Sequence, residues 1–379
     1  MPNDPPNLRQ LSQTALAFRG YNTENLGRTA ELLAVPRYRA IVGDHLRHAS
    51  TLCGDVLGRP VDLIARIERG EEAPLDDYAE SVALIFATEL AHIDLLREVH
   101  DIDACRAQMA FGYSLGELVA LVTTGVLEAD EVLRVPLAMS VDCAELAHDV
   151  TMGVMFSRGP AIDEHHLCDV CEQITAEGEG VIGVSAILSP NTYLVLGQGE
   201  TVQRLKRGLV EYFPSPVHLR RNDSRWPPLH TTIVRQRQVP DRAAAMMQVM
   251  SIRDEPKLPV HSLVTGRPIS EASSLRELLR DWVDCPQRLW DVVEATLAND
   301  VKRILHIGPA PNVIPATFRR LSDNIRQQTA GTNLAALGLL AASQVQRTWL
   351  AALLPKSAAL LRAPEVEHIV LEDWLLDNA

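Results

Sequence analysis

A serine between two glycines, Gly112-Tyr113-Ser114-Leu115-Gly116, is where residue type and spacing in this 379-residue chain point most directly to chemistry. A short apolar run, Met109-Ala-Phe111, precedes it, and a stretch with helical apolar spacing, Leu118, Leu121 and Val122, follows it. Strand, sharp turn and helix in that order are the setting in which a nucleophilic serine stands on a strained elbow. Where the chain reverses so tightly, a Cβ on either side of the serine would collide with neighbouring backbone, which is the use of the two glycines. Ser114 would stand proud of the turn, and the free N–H of Leu115 at the helix start would help hold a developing oxyanion. The pentapeptide by itself also fits an ordinary glycine-rich turn, so its reading depends on context.

Other groups invite chemistry less directly. His165-His166-x-Cys168-x-x-Cys171 has the residue types of a metal site, but its period is helical and no second ligand pair lies at usable spacing. It reads as a helix whose cysteines pack as small apolar side chains, and no metal is expected. His92 lies in a run that is apolar nearly all round and is expected to be a packed core histidine. Arg220, Arg221, Arg225, Arg235 and Arg237 crowd into one segment of a chain whose formal net charge is −13. A solvated loop accounts for them, and so does a positive lip for an anionic ligand and an acidic partner. The acidic balance argues against nucleic-acid binding.

With 46% hydrophobic residues the chain can bury one large core or two modest ones. Six cysteines without regular pairing and an opening without a charged-then-apolar leader point to a reducing cytoplasm, and no apolar run is long enough to span a membrane. Residues 1–12 read as a loose tail and 14–18 as a buried first strand that leads through a loop into a mainly helical stretch, 30–99. After the elbow comes another helix from Gly125, then an α+β segment over 150–217 with strands near 152–156, 181–187 and 192–196. Strands are also expected at 258–263 and 303–307, apolar helices at 333–343 and 345–354, and a closing segment, 365–377, that packs on its own domain or docks a partner.

The hexapeptide Gly112–Glu117 resembles the G-H-S-x-G-E signature of the malonyl-CoA:acyl-carrier-protein transacylase family, which also supplies the acyltransferase domains of fatty acid and polyketide synthases. Phe18, Gly20 and Gly27 keep the spacing of the family's F-P-G-Q-G-S-Q-x-x-G loop, Ser189-Pro190 and Gly197 that of its N-S-P-x-x-x-V-x-S-G edge, and Ile307-Gly308-Pro309 that of its closing turn. His230, in Leu229-His-Thr-Thr-Ile-Val234, falls where the family carries its general base. The resemblance covers about residues 14–325. It implies an α/β fold, with an α/β-hydrolase-like large domain (1–145 and 220–330), an inserted ferredoxin-like subdomain (150–217) and a C-terminal helical extension (331–379).

For the site, the resemblance implies Ser114 as nucleophile, His230 as base, an oxyanion hole from the backbone N–H groups of Leu115 and Tyr21, and a main-chain carbonyl near Trp282 orienting the imidazole. It implies an acyl-CoA or carrier thioester as substrate, an acyl carrier protein as partner, no permanently bound cofactor and no membrane. Arg220, Arg221, Arg225 and Arg235 become candidates for binding the CoA or phosphopantetheine phosphate and an acidic carrier. The departures from the family cluster at the pocket: Tyr113 replaces histidine, Leu188 replaces asparagine, and Met139 stands where many members carry the arginine that pairs a malonyl carboxylate. An uncompensated buried carboxylate is costly, so a neutral acyl group is favoured, with Arg134 as the obvious substitute cation. The expected activity is acyl transfer through an acyl-serine. The alternatives are a thioester hydrolase that uses the same pair and a non-catalytic carrier-binding module.

Overall fold

The computed structural model describes residue 8 and residues 10–253, 255–269, 272–329 and 358–379. Nine strands occur among them: β1 (Thr14–Phe18), β2 (Met109–Gly112), β3 (Val150–Ser157), β4 (Ile182–Ser189), β5 (Thr192–Gln198), β6 (Val217–Arg225), β7 (Val260–His261), β8 (Arg303–Ile307) and β9 (Glu367–Val370).

Five of them form a parallel sheet in the order β7-β2-β1-β8-β9. β1 is buried along its whole length, as a strand covered on both faces must be. Its side chains alternate between two cores. Leu16 and Phe18 pack with the helices Arg39–Leu57 and Tyr78–Glu98, while Ala15 and Ala17 pack with Trp290, Val293 and Phe318 on the other side.

The other four strands form an antiparallel sheet, β4-β5-β3-β6, whose helices Glu164–Ala176 and Thr201–Tyr212 cover one face. A parallel sheet with a separate antiparallel sheet is the expected fold class. This second sheet runs further than the 150–217 expected from sequence, because β6 places Arg220, Arg221 and Arg225 on a strand paired with β3 rather than on a loop.

The C-terminal segment also differs from the helical extension expected. Glu367–Val370 adds β9 to the open edge of β8, with Arg303 and Glu367 opposite one another and ion-paired at 2.8 Å, and a short helix, Leu371–Asp377, follows. The unpaired N–H and C=O groups of β8 explain why this short run with Ile369 and Val370 extends rather than coils. The opening tail is less loose than expected, since Leu8 and Leu11 are buried. The helices expected at 333–343 and 345–354 lie outside the described residues. Among the described residues no helix is long and apolar enough to cross a membrane.

Candidate active site

β2 ends at Gly112 and the helix Leu115–Thr123 begins after two intervening residues, so the chain must reverse within Tyr113 and Ser114. Ser114 takes φ 55° and ψ −117°, a strained conformation for a residue with a side chain. The glycines have the mechanical role expected. A Cβ on Gly112 would lie 2.0 Å from the carbonyl carbon of Gly116, and one on Gly116 would lie 2.4 Å from the carbonyl oxygen of Arg19. Gly20 lets the first loop close on the elbow, since a Cβ there would meet the Tyr113 carbonyl oxygen at 2.6 Å. Leu115 is the first residue of the helix, where backbone N–H groups have no intrahelical acceptor.

His230 arrives from the loop after β6, also at positive φ (65°), with its backbone N–H donated to the Val283 carbonyl at 2.8 Å. Its Nε2 lies 2.7 Å from Ser114 Oγ. The two residues are 116 apart in the chain, and both side chains are buried. Burial pushes the imidazole down to about 4, against the opposing pull of the Trp282 and Cys285 carbonyls, so it is neutral at physiological pH and able to accept a proton.

The segment from Trp282 to Gln287 does more than offer a carbonyl. The Trp282 indole N–H donates to the Ser114 carbonyl at 3.0 Å, and its ring stands edge-on to the imidazole with centroids 5.7 Å apart. The Gln287 Oε1 accepts the Ser114 backbone N–H at 2.8 Å, and its Nε2 lies 3.2 Å from His230 Nδ1. The peptide groups on both sides of the nucleophile are thus gripped by two side chains from one segment. Sequence reading reached Trp282 only for its main chain and missed Gln287, which no motif marks.

Arg19, another residue the sequence did not single out, is buried where the resembling family has proline. Its guanidinium donates to the carbonyls of Gly20 (2.7 Å) and Pro309 and to Asn25 Oδ1 (2.8 Å), and its backbone N–H donates to Glu89 (2.7 Å). The loop carrying Tyr21 is braced from within. Glu372 of the C-terminal helix accepts the backbone N–H groups of Arg28 and Ala310, each at 2.8 Å, and ties that loop to the closing turn. On the elbow helix, burial raises the Glu117 carboxyl to about 8, and the Leu263 backbone N–H and the Ser262 side chain bond to it.

The pair opens into a cavity of about 530 Å³. Met152 and Val154 of β3, Leu194 and Leu196 of β5, and Leu188 of β4 form an apolar wall from the small sheet. Tyr21, Tyr78, Tyr113 and Trp226 add aromatic surface, and the helix Val313–Thr329 closes the far side.

Two of the three acyl-pocket residues expected, Tyr113 and Leu188, line this cavity. Met139 does not. It is 1% exposed and packs in the large-domain core on the helix Ala129–Ala147. Arg134 is no substitute, being exposed and 4.0 Å from Asp55. Among the described residues that line the cavity, the guanidinium belongs to Arg320, which is exposed on the helix Val313–Thr329.

The basic segment divides. Arg220 pairs with Val154 and Asn222 with Met152, so Arg220 shares the face of β6 that borders the cavity, while Arg221 points to the opposite face beside Asp223 (3.6 Å). Arg225 is exposed near the end of β6, and Arg235 is bound to Asp284 at 2.7 Å. Among the described residues no group of three or more His, Cys, Asp or Glu side chains could hold a metal, and His166 Nε2 lies 2.6 Å from the Tyr212 carbonyl.

No protein-family model matches the chain. The mouse mitochondrial malonyl-CoA-acyl carrier protein transacylase is 26% identical over 311 residues, 78% of this chain and 76% of that protein. The malonyl CoA-acyl carrier protein transacylase of Salmonella typhimurium is 24% identical over 320 residues, 83% and 94% of the two chains. Among solved structures, FabD from Acinetobacter baumannii superposes with a TM-score of 0.67 at 17% identity, covering 97% of this chain and 100% of that one. A malonyl-transacylase solved in complex with a type II polyketide-synthase acyl-carrier protein gives 0.64 at 21% identity, over 81% and 93%. Curated relatives and structural neighbours agree: in sequence the chain is similar to malonyl-CoA:acyl-carrier-protein transacylases, and in fold it is similar to solved structures of such proteins.

Proposed function

We propose that this chain is an acyltransferase that moves an acyl group from a CoA or carrier thioester to the phosphopantetheine thiol of an acyl carrier protein. The reading rests above all on the 2.7 Å contact between His230 Nε2 and Ser114 Oγ. A serine hydroxyl is a poor nucleophile until a base takes its proton, and a neutral buried imidazole in hydrogen-bond reach supplies that base.

In this mechanism Ser114 Oγ attacks the thioester carbonyl as its proton passes to His230 Nε2, and the backbone N–H groups of Leu115 and Tyr21 meet the oxyanion. The tetrahedral intermediate collapses, the C–S bond breaks, and the departing thiolate takes the proton back from His230. The carrier's thiol then gives its proton to His230 and attacks the acyl-serine, and collapse breaks the ester C–O bond as His230 returns the proton to Ser114 Oγ. The Trp282 and Cys285 carbonyls favour the imidazolium formed in both halves. A non-catalytic carrier-binding module has no need of this contact.

The acyl group we assign is neutral. The cavity next to the pair is walled by apolar side chains of the small sheet, and Met139, where the resembling family carries its carboxylate-pairing arginine, is sealed in the core. The small sheet, β3 to β6 with its two helices, serves as the inserted subdomain that roofs this cavity. Arg220 and Arg225 suit the phosphate of the pantetheine arm and an acidic carrier surface. The test is intact-protein mass spectrometry after incubation with a panel of acyl-CoAs. Wild type should gain the mass of a neutral acyl group more readily than that of malonyl, and Ser114→Ala should gain none. No adduct on wild type with any donor overturns the reading.

A further inference from the structure

Gln287 lies between the two reacting residues and is fully buried, and the mechanism above makes no use of it. The orientation of its amide is set by chemistry. A backbone N–H can only donate, so the partner of the Ser114 N–H at 2.8 Å is the amide oxygen. The NH₂ end must therefore face His230 Nδ1, at 3.2 Å. An NH₂ group can only donate, so in this arrangement Nδ1 accepts, and the single imidazole proton is on Nε2, directed at Ser114 Oγ. That tautomer has no lone pair left on Nε2 to take the serine proton. The working tautomer carries its proton on Nδ1, where the Trp282 and Cys285 carbonyls accept it.

We infer that Gln287 is a positioning residue that locks His230 in its idle tautomer, and that the site is armed when the Gln287 amide withdraws from Nδ1. Arming takes one proton off Nε2 and places one on Nδ1 by way of the cavity that His230 lines, with no change of net charge.

The main chain of Gln287 suggests what moves the amide. Its N–H donates to the Ser185 carbonyl at 2.9 Å and its carbonyl accepts the Ile187 N–H at 2.8 Å, which stitches it to β4. Ser185, Leu188 and Ser189 of that strand line the cavity. An acyl chain pressing on β4 therefore pushes on the residue that holds the imidazole, so occupancy of the cavity and readiness of the base are coupled. This deepens the acyl-serine reading and rests on it for its purpose, but the tautomer is measurable without any substrate.

The test is ¹⁵N NMR of histidine-labelled protein, with rates of Ser114 labelling by a fluorophosphonate alongside. Resting wild type should show a pyrrole-type Nε2 and a pyridine-type Nδ1 for His230. Gln287→Glu keeps an acceptor for the Ser114 N–H and replaces the donor facing Nδ1 with an acceptor. It should reverse the tautomer and label about tenfold faster, the size of effect expected for one hydrogen bond. Gln287→Met, which also lacks the donor, should show the same reversal if the buried glutamate does not fold. A wild-type His230 already protonated on Nδ1 overturns the inference, as does, where wild type itself takes label, a reversed tautomer in either variant without faster labelling. If neither wild type nor either variant takes label while the tautomers are as expected, the nucleophilic reading of Ser114 fails and the lock stands.

Discussion

The elbow and the segment from Trp282 to Gln287 meet at the same serine, yet they hold it by different physics. At the elbow the constraint is steric: Gly112, Gly116 and Gly20 stand where a Cβ would strike backbone atoms at 2.0 to 2.6 Å. Across from it the constraint is polar. One indole N–H, one amide and two carbonyls reach from five residues' distance along the chain to grip Ser114 and His230. Steric walls leave little choice of residue, whereas a hydrogen bond can be lost and the structure relax. The elbow should therefore fail abruptly when altered and the opposite segment by degrees.

The sharpest test is Gly116→Ala. Its new Cβ would lie 2.4 Å from the Arg19 carbonyl oxygen and 2.5 Å from that of Phe18, both backbone, so nothing flexible can yield. A loss of about 3 kcal/mol or more is expected from overpacking here, seen as a lowered urea midpoint and no acyl adduct. Retained stability would break the comparison. Trp282→Phe keeps most of the ring but deletes the donor to the Ser114 carbonyl. It should cost about 1–3 kcal/mol, with acylation slowed about tenfold and KM little changed, as single-turnover kinetics would show.

The pH profile sharpens the same contrast. His230 is held down to about 4 by burial, so it remains a free base well below its usual range. Labelling of Ser114 by a neutral reagent should stay nearly flat from pH 7 to about 5 and fall to half near 4, as the imidazole protonates. A limb near 6.5 would mean that water reaches the ring and that the packing of Trp282 and Gln287 does not seal it. The smallest effect is expected away from both regions. Arg220→Glu should raise the KM for carrier about three- to tenfold at low salt, with the difference shrinking as salt is added and acylation from CoA little altered in rate.

How far each part could be read in advance follows from the same division. Ser114 was legible because the steric demands of its turn are met within five residues, and His230 because a resembling loop placed it. Trp282 was reachable only as a backbone carbonyl. Gln287 is 173 residues from the serine it bonds, and nothing in Pro286-Gln-Arg-Leu289 distinguishes a bridging glutamine from a surface one. Met139 shows the limit from the other side. Counting along a helix gave its number, but only the packing of the helix Ala129–Ala147 put Met139 in the large core, apart from the residues that line the cavity. β6 and β9 were missed as strands because their polar or acidic side chains obscured the alternation, and what made them strands was an open sheet edge beside them.

Local order came from the sequence itself: buried first strand, glycine elbow, mixed α+β segment, and the nucleophile followed far downstream by its base. Those features depend on sterics and apolar period, which act between near neighbours in the chain. The tertiary structure alone decided which polar atoms meet at Ser114 and His230, that Met139 is packed in the large core, and that Gln287 is bonded to the small sheet. Those outcomes depend on distances of a few ångströms between segments a hundred or more residues apart, and no spacing rule carries that information.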